Sequence, residues 1–493
     1  MTASLLLAAA VLALLLPFAG ADPPAGLTGS NAPFTDEGFN LANARNRVLF
    51  GRFGIDDVDR SLTNGAYSAV GAAVFVVTGP RLAAGRAVSM VCVAAAVLLL
   101  ALGLVQPFGR PAALLAAAAL GGADLMLEHG RLALVEPMVV LLLTAAFVLA
   151  VRSRRRPSLP AGAAAGLLVA AAVSVKATAL LPGLVLLGVP LAAALRDRAR
   201  TQGEDGRVGA AVAAAGVAAG SGLAWLLAVA LPNADRLGTA LRVWPSVGYP
   251  GSPGAFASRL GEYLAHSDQA LGRSAPLLAG AGIGLVAAAI RWRALDPGRR
   301  EALVMAAGWG IGLWTAIAVG DYAPNRYVVP ALPGLAVLAG FGLAALAGPT
   351  PARGVRRRRL AGGAVAVLLG LAVAGPGVGR FLDGSDPAAD QRALGQRTLA
   401  ARIPAGATVY GAYAPTLLFD TRLRLVAPWP SAGANVRDPV GRLAVTYVLA
   451  GGPGDPTLEA PDLRAGVRLV PLARVPWAGR EVWLYEIGQV RME

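Results

Sequence analysis

The sequence predicts a mainly α-helical polytopic membrane protein, with about eleven transmembrane helices, one juxtamembrane or re-entrant segment and a small C-terminal extracytoplasmic α/β domain. Three observations carry that expectation. Apolar residues make up 56% of the 493 and charged residues only 15%, with a mean hydropathy of +0.58, far from the balance of a soluble globule. The apolar residues gather into runs of helical length, and short arginine clusters separate the runs. After residue 380 the runs give way to shorter apolar stretches between Pro- and Gly-rich turns.

The net charge of +15 would suit nucleic acid, but the arginines lie between apolar segments, where they orient helices in a bilayer; no nucleic-acid partner is expected. Cys92 is the one cysteine and sits inside an apolar run, which excludes an intrachain disulfide and a Cys-x-x-Cys metal site. The only histidines, His129 and His266, do not favour a zinc site.

Residues 4–16 form the first apolar run. Ala19-Gly20-Ala21 has small residues at the spacing of a signal cleavage site, but no basic segment precedes the run, so an uncleaved anchor is expected over a signal peptide. The next run, 66–79, has 14 residues, short of the ~20 that a spanning helix needs, and is expected to be re-entrant or juxtamembrane. Longer runs follow at about 87–106, 111–124, 133–151, 160–175, 178–195, 208–231, 275–290, 302–319, 328–348 and 360–376. In the last part, 387–403 reads as a helix, and 407–413, 423–427, 445–450, 467–472 and 481–487 read as strands. Asp420, Asp438 and Asp462 look isolated there, so this domain is expected to bind the acceptor or cap a site rather than do chemistry.

Lysine and arginine concentrate in cytoplasmic loops. The clusters at 152–156, 196–207, 291–300 and 353–359 are each separated by an even number of runs, so all four are expected inside. Counting back places 124–136 outside, Phe108-Gly109-Arg110 inside and Arg86 outside. Asp36 shares that outer side only if 66–79 does not span. The expected arrangement is a plasma-membrane protein with a cytoplasmic N-terminus, a first outer loop at 21–86 within a membrane domain at 1–379, and residues 380–493 outside.

That topology gathers the chemistry on one face. The polar stretch Pro33-Phe34-Thr35-Asp36-Glu37-Gly38-Phe39-Asn40 precedes a helix in which Leu41, Ala44, Val48 and Leu49 recur among Arg45, Arg47 and Arg52, as in a helix lying along a membrane surface. Asp36 is read as the catalytic centre, against the plainer reading of an ordinary loop acid. Glu37, Arg86, Glu128, Arg131, Glu136, Lys176, Asp321 and Arg326 are expected at the same outer edge. Lys176 is the only lysine in the chain. A compact ammonium where a short loop joins two helices suits a phosphate, or merely a snorkelling helix end. Arg131 and Glu136 are close enough in sequence to meet across a turn, as a functional pair or a helix-start ion pair. Few ionisable residues lie near mid-membrane, which argues against ion-coupled transport.

Taken in series, Asp36-Glu37, Thr78-Gly79-Pro80-Arg81-Leu82-Ala83-Ala84-Gly85-Arg86, His129-Gly130-Arg131-Leu132-Ala133-Leu134-Val135-Glu136-Pro137, Ser174-Val175-Lys176-Ala177-Thr178 and Asn325-Arg326-Tyr327 followed by Pro330 resemble the GT-C membrane glycosyltransferases. The nearest branch is that of the protein O-mannosyltransferases and the lipid A aminoarabinose transferase. The chain departs from the pattern at Asn64-Gly65-Ala66-Tyr67 and in having Glu136 where many relatives have Asp. The resemblance implies transfer of a sugar from a polyprenyl-phosphate donor lipid to an extracytoplasmic acceptor, a glycan, lipid or protein. Asp36 would be the general base, with Glu37 and Glu136 as further catalytic carboxylates. Arg86, Arg131, Lys176, Arg326 and Tyr327 would contact the donor phosphate, and Asp36 with Glu136 would ligate a divalent cation such as Mg²⁺, Mn²⁺ or Ca²⁺. A lipid-borne donor needs no nucleotide domain, and no glycine-rich phosphate loop is present. The alternatives are a lipid-linked glycan flippase without catalysis, and a scaffold whose outer domain binds a partner.

Overall fold

A computed structural model describes the chain except residues 25–26, 28–33, 56–61, 202–204, 236, 238–249, 267–269, 321–323, 348–355, 428–438, 453–454, 456, 459–466, 478 and 489–493. Pro33, Asp321, Asp438, Asp462 and the beginning of the last arginine cluster lie outside the described residues. The helices are α1 (Thr2–Leu15), α2 (Asp36–Phe50), α3 (Gly65–Thr78), α4 (Leu82–Gly103), α5 (Arg110–Gly121), α6 (Asp124–Gly130), α7 (Glu136–Ser153), α8 (Leu159–Val175), α9 (Leu180–Thr201), α10 (Asp205–Trp225), α11 (Pro253–His266), α12 (Ala270–Arg291), α13 (Pro297–Ala307), α14 (Leu332–Leu346), α15 (Arg356–Gly384) and α16 (Gln391–Ala400), with short turns between them.

Seven helical segments among the described residues are long and apolar enough to cross a membrane: Leu82–Phe108, Glu136–Ser153, Ala177–Arg200, Gly206–Asn233, Arg273–Ala294, Pro297–Ala318 and Asn325–Leu346. Each coincides with one of the expected spans. Three of the other four expected spans fall on shorter or bent elements, so the count of eleven does not follow from length and composition among the described residues. Two are the shorter apolar helices Thr2–Phe18 and Leu159–Val175, and one is the pair α5 and α6, bent by 56° at their break. The last lies within α15. The 14-residue α3 falls below spanning length, as its run does in the sequence.

Small residues let the helices approach closely. At Gly340 of α14 an added Cβ would lie 2.5 Å from the Ala112 carbonyl oxygen, and at Gly284 of α12 one would lie 2.1 Å from that of Leu338. Between the helices, Trp309, Phe147 and the buried leucines of α4 and α7 fill the core.

The expected strands appear as β1 (Thr408–Tyr410), β2 (Arg424–Val426), β3 (Val445–Ala450), β4 (Arg468–Trp477) and β5 (Arg480–Gly488). They form one sheet in the order β2-β1-β3-β5-β4. β1 is parallel to β2 and β3, while β5 is antiparallel to β3 and β4. One face, with Val409, Leu449, Trp477 and Leu484, packs with Leu399 of α16 and with Leu417 of the one-turn helix α17 (Ala414–Leu417). That turn and the residues after it lie against α2, which brings the sheet to the segment that carries Asp36 and Glu37.

Candidate active site

Asp36 and Glu37 occupy the first turn of α2, where carboxylates meet the positive end of the helix dipole. Successive residues on a helix diverge by about 100°, and the two acids go to different places. Glu37 is fully buried: Arg86 Nε donates to its Oε1 at 2.7 Å, Arg86 Nη2 to its Oε2 at 2.8 Å, and the Ala133 N–H to Oε1 at 2.8 Å. Burial opposes the charge on Glu37, but the Arg86 guanidinium and the Ala133 N–H outweigh it and hold the carboxyl below its usual range.

Arg86 Nη1 also donates to the carbonyls of Ala19 and Ala21, at 3.1 and 2.6 Å. Arg131 donates to those of Ala21 and Asp22, at 3.3 and 2.9 Å. Glu37, Arg86 and Arg131 thus buckle residues 19–22 to α4 and to the segment before α7. The expected Arg131–Glu136 pair is not among the ion pairs of the described residues: Nη1 and Nη2 of Arg131 go to these carbonyls, and Glu136 pairs with Lys176. Asp22 accepts from the Arg392 N–H at 3.0 Å, and burial raises its pKa.

The second group is more open. Arg326 Nη2 lies 2.9 Å from Asp36 Oδ2, and the two side chains are 19% and 21% exposed. Lys176 Nζ donates to Glu136 Oε1 at 2.5 Å and sits 3.6 Å from the centroid of the Tyr327 ring. The Arg326 guanidinium is 5.3 Å from that same ring, so Tyr327 helps to hold both cations. Glu136, in the first turn of α7, has its Oε2 buried without a hydrogen-bond partner among the described residues. Asp36, Glu136, Lys176, Arg326 and Tyr327 therefore converge from α2, α7, the α8–α9 junction and the turn before α14, while Glu37, Arg86 and Arg131 stand apart in the buried buckle.

Asp36 and Glu136 are each committed to a cation, and no group of three or more His, Cys, Asp or Glu that could hold a metal occurs among the described residues. A hard divalent cation takes about six oxygen ligands. To hold the expected ion, Asp36 and Glu136 would each have to give up their cation, with water and phosphate oxygens completing the shell.

Beyond these residues, Arg273 holds Asp124 through two hydrogen bonds of 2.6 and 2.9 Å and meets Glu128 at 2.6 Å, with Arg380 3.2 Å from Asp124. Sequence reasoning passed over Arg273 because it lies in an ordinary helical run. At the other end of the bundle, Arg154 pairs with Asp197 at 2.5 Å and with Glu301 at 3.3 Å, and Arg299 donates to the Pro107 carbonyl at 2.6 Å. Three arginine clusters therefore meet around the segment that also carries Phe108, at the end away from Asp36. Two expectations are corrected. Arg45 is only 1% exposed rather than facing a membrane surface, and Asp420 is not isolated, since it accepts from the Leu82 N–H at 2.7 Å and pairs with Arg392 at 3.1 Å.

No family model matches the sequence, and no curated protein resembles it in sequence. Solved structures do resemble it. ArnT from Cupriavidus metallidurans in the apo state superposes with a TM-score of 0.65 at 15% identity, covering 97% of each chain. The chain has the fold of the GT-C membrane glycosyltransferases. The same ArnT bound to undecaprenyl phosphate gives a TM-score of 0.62 at 16% identity over 97% of each chain. A further structure with this GT-C fold is the oligosaccharyltransferase AglB from Archaeoglobus fulgidus with an inhibitory peptide and a dolichol-phosphate, at a TM-score of 0.50 and 14% identity over 90% of this chain and 69% of that one. An Archaeoglobus fulgidus oligosaccharyltransferase in complex with Zn and sulfate gives 0.53 at 12% identity, over 95% of this chain and 72% of that one. These likenesses give no support to the flippase alternative.

Proposed function

We propose that the protein transfers a sugar from a polyprenyl-phosphate carrier to an acceptor hydroxyl on the extracytoplasmic side of the plasma membrane. The observation that carries this reading is the cluster of Asp36, Lys176, Arg326 and Tyr327 in a fold whose solved examples hold undecaprenyl or dolichol phosphate. Lys176 and Arg326 receive the lipid phosphate, and Tyr327 keeps both cations in place. Asp36 exchanges Arg326 for the acceptor hydroxyl and takes its proton. The acceptor oxygen then forms its bond to the anomeric carbon as the bond from that carbon to the phosphate oxygen breaks, and the carrier phosphate leaves with the electron pair, its charge neutralised by the two cations. Glu136 orients the Lys176 ammonium. Glu37, Arg86 and Arg131 hold the loop that presents Asp36.

In this reading the N-terminus is cytoplasmic, the arginine-rich end around Arg154 faces inward, and residues 380–493 form an outer domain beside the site. The test is mass spectrometry of envelope glycans from a strain lacking the gene, complemented with wild type or with Asp36→Asn. A glycan lost in the deletion, restored by wild type and not by Asp36→Asn is the expected result. Restoration by Asp36→Asn would return the protein to a role without catalysis.

A further inference from the structure

From the sheet side, the Thr416 side chain of α17 reaches the first turn of α2. The Gly38 N–H donates to Thr416 Oγ1 at 3.1 Å, and Thr416 Oγ1 donates to the Thr35 carbonyl at 2.6 Å. Thr35 and Gly38 bracket Asp36 and Glu37, and Thr416 is only 1% exposed. The approach is so close that a Cβ at Gly38 would lie 2.1 Å from the Pro415 carbonyl oxygen.

The residues after Thr416 are held from two other directions. Arg45, two turns along α2, donates Nε to the Phe419 carbonyl and Nη2 to those of Thr421 and Leu423, each at 2.7 Å. Asp420 accepts from the Leu82 N–H at the start of α4. The segment is thus pinned to α2 and α4 together, and Thr416 is where it grips the backbone on both sides of Asp36.

We propose that Thr416 is a positioning residue, whose hydroxyl sets the height and rotation of the first turn of α2 and so aims Asp36 at the acceptor. This rests on the reading of Asp36 as the base. A polar group with a single orientation is needed because the hydroxyl must accept from one backbone group and donate to another at once. Valine keeps the shape and makes neither bond, whereas serine makes both.

The experiment uses the full-length protein in detergent or nanodiscs, with a polyprenyl-phosphate sugar as donor. Thr416→Val should lower kcat per folded enzyme about tenfold or more while the KM for donor lipid moves less than about twofold, since a small misplacement of a reacting group has a large cost in rate. Hydrogen exchange at the Gly38 amide should accelerate in the same variant, and Thr416→Ser should restore both readouts. Thr416→Ala removes the same hydroxyl without bulk and serves if the valine variant does not fold. Wild-type kcat in Thr416→Val, a loss that serine does not restore, or unchanged exchange at Gly38 would each overturn the proposal. An Asp36→Asn control separates the two failures. Full activity there removes the base itself, whereas its inactivity beside a fully active Thr416→Val removes only the positioning role.

Discussion

Asp36 and Arg326 meet at 2.9 Å, joining the first turn of α2 to the turn that leads into α14. The pair is partly open, so solvent weakens it, and exchange of one partner for a substrate group is cheap. Replacing the charge of Asp36 while keeping its size should therefore cost chemistry rather than fold. Asp36→Asn is expected to lower transfer from donor lipid by about 10²–10⁴-fold with expression and monodispersity retained, the range ascribed to a general base. Transfer at the wild-type rate would end that assignment.

Glu37 should behave in the opposite way, although it is the next residue. Glu37→Gln leaves the buried Arg86 guanidinium without its counter-charge, and breaking such a pair costs about 3–5 kcal/mol. The expected outcome is a lower melting temperature and lower yield, with activity per folded molecule less affected than in Asp36→Asn. A thermal shift equal to that of a surface Glu→Gln change would contradict the buckle.

The same pair sets an acid limit. The carboxyl of Glu37 is held below its ordinary value of 4.5 in the fold. Its contribution is therefore complete above that value and is lost as pH falls through the lower, folded value. Wild type should unfold in acid with a dependence that Glu37→Gln lacks between those two points, measured by intrinsic tryptophan fluorescence during acid titration. Parallel curves for the two proteins would remove the linkage.

For the lipid phosphate, Arg326→Met should weaken binding of polyprenyl phosphate by about 1.5–3 kcal/mol, the size of a charge-assisted contact. Lys176 needs a paired design, because removing it alone strands the buried Glu136. The double variant Lys176→Met with Glu136→Gln should stay folded and lose a similar amount. Unchanged affinity in both would return Lys176 to a snorkelling helix end.

Reporter fusions test the sidedness. Fusions after Arg156 and Arg200 should report the cytoplasm, and those after Asn64 and Gly384 the outside. A cytoplasmic signal after Asn64 would separate Asp36 from the face that carries Lys176.

Most of the helices and all five strands could be read from local pattern, because a run of apolar residues or an alternation between Pro- and Gly-rich turns is determined by neighbours in the chain. The grouping of Asp36, Glu136, Lys176, Arg326 and Tyr327 was also an expectation of arginine placement and segment parity, and the structure brings these residues together. What the residue order could not reveal is the division of labour among the charged residues. Two adjacent carboxylates look alike in a sequence. Only the packing of α2 against α4 turns Glu37 into the interior and leaves Asp36 at the opening, since a helical step of about 100° separates their directions. Arg86, Arg131 and Arg45 likewise look like interfacial cations. They are spent on buried carbonyls and on Glu37 because partners from distant segments arrive there, and Thr416 matters to Asp36 only because the sheet is folded back against the start of the chain. The sequence by itself determined the membrane class and most of the helical and strand segments. The tertiary structure decided which of these charges are buried in pairs and which stay partly open, because burial and pairing are properties of contacts between segments far apart in the chain.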